Sequence, residues 1–333
     1  MGKIHDLGFG FLGHHSAEQT IALVKQAEEL GFSNAWIAED CFYAGAFSVA
    51  TVCAAHTSHI QLGIGVINPY TRHPVLSAME AAALDSISGG RAIIAMGASN
   101  KRWMETELGI PFRKPITATK EAVQIMKTVL RDGEISFQGE VFRTGPLKLD
   151  FEPLRRDQPI YTGVKGDRAL YITGQVADGI LLSAGCTLEY VSYARKLIAE
   201  GARSVGRDPA EIRIAAYLPT CIQEDSASAV EAMRPAVRRY LALHGAQPIL
   251  TCAGFAPEEV QPFRDAFFAG TECPLPVTDE MVRKIVIAGT ARECRERMEA
   301  YIDAGVEMPI CFELGGGADP VETLRSVSNC MLR

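Results

Sequence analysis

The chain lacks an apolar run approaching the roughly 18 residues of a membrane span, so no membrane partner is expected. Its basic clusters are no larger than Arg155-Arg156 and Arg238-Arg239, and its net charge is −7, which argues against a nucleic-acid partner. The N-terminus lacks the basic-then-apolar order of a secretory leader. The nine cysteines are odd in number and scattered singly through apolar segments. That suits reduced thiols in the cytoplasm better than a disulfide framework. No metal-ligand spacing is present: His14-His15 are adjacent, and neither a carboxylate nor a Cys pattern completes His56 and His59. There is no P-loop and no Gly-x-Ser-x-Gly elbow. Gly8-Phe9-Gly10 and Gly63-Ile64-Gly65 fall inside strands, so a dinucleotide fingerprint is not supported. Glycine there suggests a bulge or a close ligand approach instead. The C-terminal Cys330-Met331-Leu332-Arg333 is a poor prenylation signal because Arg is last. No short repeat and no low-complexity tract occurs.

What is present is alternation. Ile60 to Asn100 reads as strand, loop, helix, strand. The apolar run Ile60–Ile67 ends in a loop punctuated by Pro69 and Pro74. Val75–Ile87 has helical spacing, and Ser88-Gly89-Gly90 stops it. Arg91–Met96 is a second apolar run, ending in Gly97-Ala98-Ser99-Asn100. The same grammar gives strands at Ile4–Phe11, Asn34–Ala38, Pro159–Thr162, Gly179–Ser183, Ile212–Ile222 and Pro309–Leu314. Helices are expected at Ser16–Leu30, Phe47–His56, Thr117–Arg131, Asp167–Gln175, Leu188–Val205 and from Pro320, with Ser16 and Gly31 as caps. From Ala227 to Tyr301 the chain reads as mostly helical, with a Pro- and Gly-containing excursion from His244 to Pro276. Ile135–Asp150 alternates with period two, like a hairpin turning near Gly145-Pro146. Eight strands joined by helices close most naturally into an α/β fold of the (β/α)8 TIM-barrel type, with the hairpin and the excursion as insertions. At 333 residues the chain fits one such barrel domain spanning 1–333.

In such folds chemistry gathers where strands end. Glu39-Asp40-Cys41 follows the second strand; two adjacent acids could hold a substrate, act as acid or base, or cap a helix. Asn68, Tyr70, Arg72 and His73 follow the third. Asn68 suits bonding to a heterocycle, Arg72 suits an anion, and His73 reads better as a helix cap than as a catalyst. Gly163-Val164-Lys165-Gly166 precedes a helix. It is either a phosphate cradle, with backbone N–H groups and Lys165 as counter-charge, or an ordinary strand-to-helix turn.

Taken together these pieces resemble the bacterial luciferase-like superfamily, and within it the deazaflavin-dependent methylene-tetrahydromethanopterin reductases. The resemblance covers residues 4–222 well and Val277–Leu314 more loosely. It rests on Leu62–Pro74 (LGIGVINPYTRHP), Leu84–Arg91 (LDSISGGR), Leu108–Pro115 (LGIPFRKP) and Pro159–Gly166 (PIYTGVKG). Ala177-Asp178-Gly179 and Ile287–Thr290 add to it. Any one of these is commonplace; their order and separations are specific. The resemblance implies a flavin-type ring across the strand C-termini, bound by Gly65, Val66, Ala98 and Ser99. It implies a non-prolyl cis peptide in the third strand, at Gly65-Val66 or Gly63-Ile64. It places a cofactor phosphate at Gly163, Val164, Lys165 and Gly166. The cofactor would be the deazaflavin coenzyme F-420, or alternatively FMN in a monooxygenase served by a separate flavin reductase. Asp40, Asn68 and Asn100 would surround the reactive edge and act on a small-molecule substrate. A homo-oligomer, specifically a homodimer, is implied. Two positions depart from the reductase pattern: Gly10 and Asn100 stand where acids are expected. Their loss leaves open a third reading, a non-catalytic flavin-binding protein.

Overall fold

The structure, a computed structural model, describes residues 4–312 and 319–333. Leu314, read from the sequence as a strand end, and the Gly315–Gly317 run lie outside them. Eight strands form the barrel: β1 (Gly8–Phe11), β2 (Asn34–Ile37), β3 (Gln61–Ile67), β4 (Ala92–Met96), β5 (Ile160–Thr162), β6 (Gly179–Leu182), β7 (Arg213–Ile222) and β8 (Met308–Phe312). Each pairs in parallel with the next in sequence, and β8 pairs back to β1, so the sheet closes. These are the eight strands read from the sequence.

The intervening helices obey the local signals. Ser16 and Gln19 form a capping box at α1 (Ala17–Leu30), and Gly31 closes it in the left-handed conformation. α2 (Ala46–His56), α3 (Pro74–Ser88), α4 (Pro115–Asp132), α5 (Asp167–Val176) and α6 (Leu188–Ser204) follow the next five strands. Between β7 and β8 lie α7 (Ser226–His244), α8 (Pro248–Thr251), α9 (Pro257–Ala269), α10 (Asp279–Ile285) and α11 (Ala291–Asp303), and α12 (Pro320–Met331) ends the chain. α8 and α9 fall within the excursion read from the sequence. A three-residue strand, Ile287–Gly289, extends β7 at Thr220–Ile222; it sits inside the stretch expected to be helical. A π-helical turn at Arg102–Glu107 was also not anticipated.

The hairpin is present, but its turn is not at Gly145-Pro146. Glu134-Ile135 pair with Lys148-Leu147, and Gln138 bridges Arg143. The chain therefore reverses at Gly139–Phe142. The cause is tertiary: the Glu121 carboxylate on α4 accepts from Glu140, Val141 and Phe142 backbone N–H groups at 2.7, 3.0 and 2.9 Å.

The barrel interior is filled by large rings seated on glycines. Trp36 is fully buried and donates Nε1–H to Asn34 Oδ1 at 3.0 Å. A Cβ on Gly63 would lie 2.2 Å from its Cδ2, so β3 must be bare at that point. Two residues on, the ladder with β4 slips: Gly65 faces Ala95 and Ile67 faces Met96, which extrudes Val66. The Gly65–Val66 peptide is cis. One contiguous hydrophobic cluster runs through the described chain from Ile4 to Leu332. No helix of the described residues is long and apolar enough to cross a membrane.

Candidate active site

The C-terminal strand ends surround a cleft made of two cavities. The first, about 370 Å³, reaches from Val66, Ala98 and Ser99 between the starts of α4 and α5, where Thr119 and Lys120 face Val164 and Lys165. The second, about 210 Å³, lies toward the barrel axis and is bounded by Asp40, Asn68, Trp103, Ser183 and Tyr217. Val66, Ser99, Gly163, Val164 and Lys165 line both, and so form their common wall.

Val66 is the centre of that wall. A Cβ on Gly163 would sit 2.2 Å from Val66 Cγ1, and one on Gly97 would sit 2.8 Å from Val66 Cγ2. The extruded valine is clasped between two bare backbones. Behind it, Tyr217 donates its hydroxyl to the Gly65 carbonyl at 3.3 Å. Ser99 has φ of 64°, and its buried Oγ has no hydrogen-bond partner in the protein. A buried hydroxyl without a partner costs about 1–3 kcal/mol, so it marks a place where a ligand atom belongs.

The two acids after β2 divide the roles that the sequence left open. Glu39 is committed to structure: Oε2 accepts from Ala46 N at the start of α2 at 2.9 Å, and Oε1 lies 3.9 Å from Arg72. Asp40 lines the second cavity, and its carboxyl has no hydrogen bond among the described residues. Burial raises its pKa above the ordinary aspartate value, and the Arg239 charge opposes the rise. Arg72 lines neither cavity; its guanidinium covers the Phe47 ring at 5.1 Å and lies beside Glu39. His73 caps α3, with Nδ1 accepting from Val75 N at 3.2 Å.

Asn68 is nearly buried. Its Oδ1 accepts from Tyr70 N, Thr71 N and Thr71 Oγ1 at 3.0, 3.0 and 3.2 Å, which fixes the loop and leaves the amide N–H groups to the cavity. Asn100 does not line either cavity. Its Oδ1 accepts from Trp103 N at 3.0 Å, so it starts the π-helical turn that brings Trp103 to the cleft. Gly166 is the residue before α5, with φ of 107° and no side chain to occupy the helix start. Asp40, Asn68, Gly65, Val66, Ala98, Ser99, Gly163, Val164 and Lys165 thus meet in one cleft, and Asn100 and Gly166 support its rim. Sequence reading missed Lys120, Trp103, Tyr217, Arg239 and His244. They sit on ordinary-looking strands and helices, and only closure of the barrel brings them together. Among the described residues no group of His, Cys, Asp and Glu can hold a metal ion.

Residues 7–308 match the family described as luciferase-like monooxygenase. The chain belongs to that family. Among curated relatives, the 5,10-methylenetetrahydromethanopterin reductase of Methanolobus tindarius is 34% identical over 285 residues, covering 85% of this chain and 86% of the relative. The solved coenzyme F420-dependent tetrahydromethanopterin reductase of Methanopyrus kandleri superposes with a TM-score of 0.86 at 30% identity, covering 98% of both chains. An F420-dependent secondary alcohol dehydrogenase solved with an F420-acetone adduct gives a TM-score of 0.79 at 19% identity, a likeness of fold. Both solved structures share the fold of this chain. Gly10 in β1 has no room for a side chain. A Cβ on Gly10 would lie 2.6 Å from Phe312 and 2.9 Å from Tyr217, two rings packed 4.7 Å apart that fill the space an acid would need.

Proposed function

We propose that the protein is a deazaflavin-dependent oxidoreductase that delivers a hydride to a small organic acceptor. The observation that carries this reading is the shared wall at Val66: one cavity beyond it is mostly apolar, with Lys120 and Lys165 among its lining, and the other holds a protonatable acid. A solved reductase at 30% identity and a curated relative at 28% identity over 96% of the chain are both named as F420-dependent, which favours a deazaflavin over FMN. The cleft fits such a group on its own terms: the unpartnered Ser99 Oγ asks for a polar ligand atom, and the bare Gly163 backbone opens the wall. Val66 and Ser99 would hold the ring, and Gly163–Lys165 with the start of α5 would hold the phosphate. The bound reduced deazaflavin would supply the hydride.

The remaining work falls to side chains of this chain. Asp40 presents its carboxyl, with a pKa raised by burial, where a reacting substrate can reach it. Asn68 presents amide N–H groups toward the same cavity. Trp103 covers it and limits water. Lys120 and Lys165 supply the positive charge of the outer cavity. Methylenetetrahydromethanopterin is the first acceptor to assay, against other small organic acceptors, because relatives at 32–34% identity are named as reductases of it.

Gly163→Val is expected to weaken deazaflavin binding by at least about tenfold while the barrel remains folded. The added side chain would displace Val66, since even a Cβ would lie 2.2 Å from Val66 Cγ1. Fluorescence titration with circular dichroism as folding control checks this. Parent-like binding would place the phosphate elsewhere.

We also place self-association on the outer faces of α2 and α3. Val52, Leu76, Met79 and Ile87 are 41, 51, 40 and 50% exposed there, an apolar surface fit for a second copy. Light scattering is expected to give about twice 36.1 kDa, and Leu76→Glu to give the monomer. A 36.1 kDa parent at micromolar concentration would contradict the assignment. The single-domain reading rests on the one hydrophobic cluster, and cytoplasmic residence on nine unpaired thiols.

A further inference from the structure

Lys165 stands in both cavities, yet no carboxylate pairs with it among the described residues. Its partner is His244, the last residue of α7, 3% exposed. Lys165 Nζ lies 3.1 Å from His244 Nδ1, and His244 Nε2 lies 2.9 Å from the Ala184 carbonyl. A carbonyl oxygen only accepts, so Nε2 carries the ring proton. That leaves the Nδ1 lone pair to accept from the ammonium. The imidazole is neutral: burial first, and then the Lys165 charge, push its pKa down to about 3.

The ring is held on further sides. Tyr240 lies against it nearly parallel, 5.8 Å between centroids at 8°. Gly185 has φ of 82°, and a Cβ there would lie 3.0 Å from Tyr240 and 3.2 Å from His244 Nε2, so the chain that presents Ala184 O approaches closely. Lys165 itself is exposed by surface area because the cleft reaches it, while protein atoms crowd its ammonium on the other sides. That crowding, and then the like charge of Arg264, lower its pKa. Two cations without an acid leave local charge unanswered.

We infer that His244 is a positioning residue: through a neutral acceptor it holds the Lys165 ammonium at the common wall of the two cavities, leaving its full positive charge for an anionic group of the cofactor. A carboxylate in the same place would fix the lysine as well but would cancel its charge. This rests on the cofactor site proposed above and goes beyond it by naming what orients the cation.

The test compares parent, His244→Ala, His244→Asn, His244→Asp, Lys165→Ala and the double variant Lys165→Ala/His244→Ala, each titrated with the deazaflavin and with FMN. His244→Ala is expected to weaken binding on the order of tenfold. His244→Asn, which keeps a neutral acceptor, should recover most of it. His244→Asp should bind no better than His244→Ala. In the Lys165→Ala background, His244→Ala should add nothing further. Nitrogen-15 NMR of the parent should show a neutral Nε2–H tautomer. Parent-like binding by His244→Ala, full additivity with Lys165→Ala, tight binding by His244→Asp, or an Nδ1–H tautomer would each overturn the inference. Loss of binding in Gly163→Val beside parent-like binding in His244→Ala removes this inference alone. Parent-like binding in both removes the cofactor cradle itself.

Discussion

Asp40→Asn is expected to slow acceptor reduction by about 10²–10⁴-fold, the usual contribution of a positioned acid or base, with cofactor affinity changed by less than about threefold. The acid is the single carboxyl in the inner cavity without a structural commitment, since Glu39 is tied to Ala46 and Arg72. Its direction of shift sets the pH profile. Burial raises the Asp40 pKa, so the protonated acid persists above the ordinary aspartate range. Activity that needs a proton from it is full below the raised pKa and falls as pH rises through it. Arg239 works against the rise, so Arg239→Gln should move that falling limb to higher pH. A steady-state pH profile of the three proteins checks both signs. An Asp40→Asn variant as active as the parent, or a limb that moves to lower pH in Arg239→Gln, would remove Asp40 from its role.

The second large effect is on stability, away from the cleft. Asp85 on α3 is 1% exposed and accepts from Arg155 Nε at 3.1 and 2.9 Å. Arg155 also donates to the Ala92 carbonyl at 2.8 Å, and Ala92 N–H donates to Asp85 at 3.3 Å. The pair joins α3, β4 and the segment leading into β5, beneath the strand ends that build the site. Removing one partner of a buried pair strands the other charge, at a cost of about 3–5 kcal/mol. Arg155→Met should therefore lose about 3 kcal/mol, the lower end because the guanidinium is partly exposed. Replacing both residues with apolar ones of similar volume should lose much less. Urea denaturation of the single and double variants measures the difference, and equal losses in both would contradict it.

The barrel was legible because its signal is local. Every strand is a short apolar run bounded by polar or glycine residues, and each helix but α2, which follows Gly45, opens on a Ser, Thr, Asp or Pro that the sequence displays. Gly65 before Val66 also carried its meaning openly, as glycine in a strand that would otherwise be continuous. What stayed hidden depends on residues distant in sequence. The hairpin turn moved from Gly145-Pro146 to Gly139–Phe142 because the Glu121 carboxylate, on another element, gathers three N–H groups. A local turn preference of a few tenths of a kcal/mol loses to three charge-assisted hydrogen bonds. His244 lies 79 residues from Lys165 and reads in the sequence as a helix end. Asn100 was expected beside the reactive edge, but its side-chain Oδ1 is used by Trp103 N, a role visible only once the π-helical turn is formed. Tyr217 is one aromatic among apolar residues in β7, and nothing in the sequence says that it faces Gly65.

The most direct test of the account is a side-by-side titration and turnover experiment with the two rival cofactors. The purified protein is titrated with deazaflavin F420 and with FMN, and each reduced form is then supplied aerobically with candidate acceptors. The account predicts tighter binding of the deazaflavin by at least about tenfold, and oxidation of its reduced form that follows acceptor and consumes no oxygen. Tighter binding of FMN, with oxygen consumed in step with reduced FMN, would contradict it.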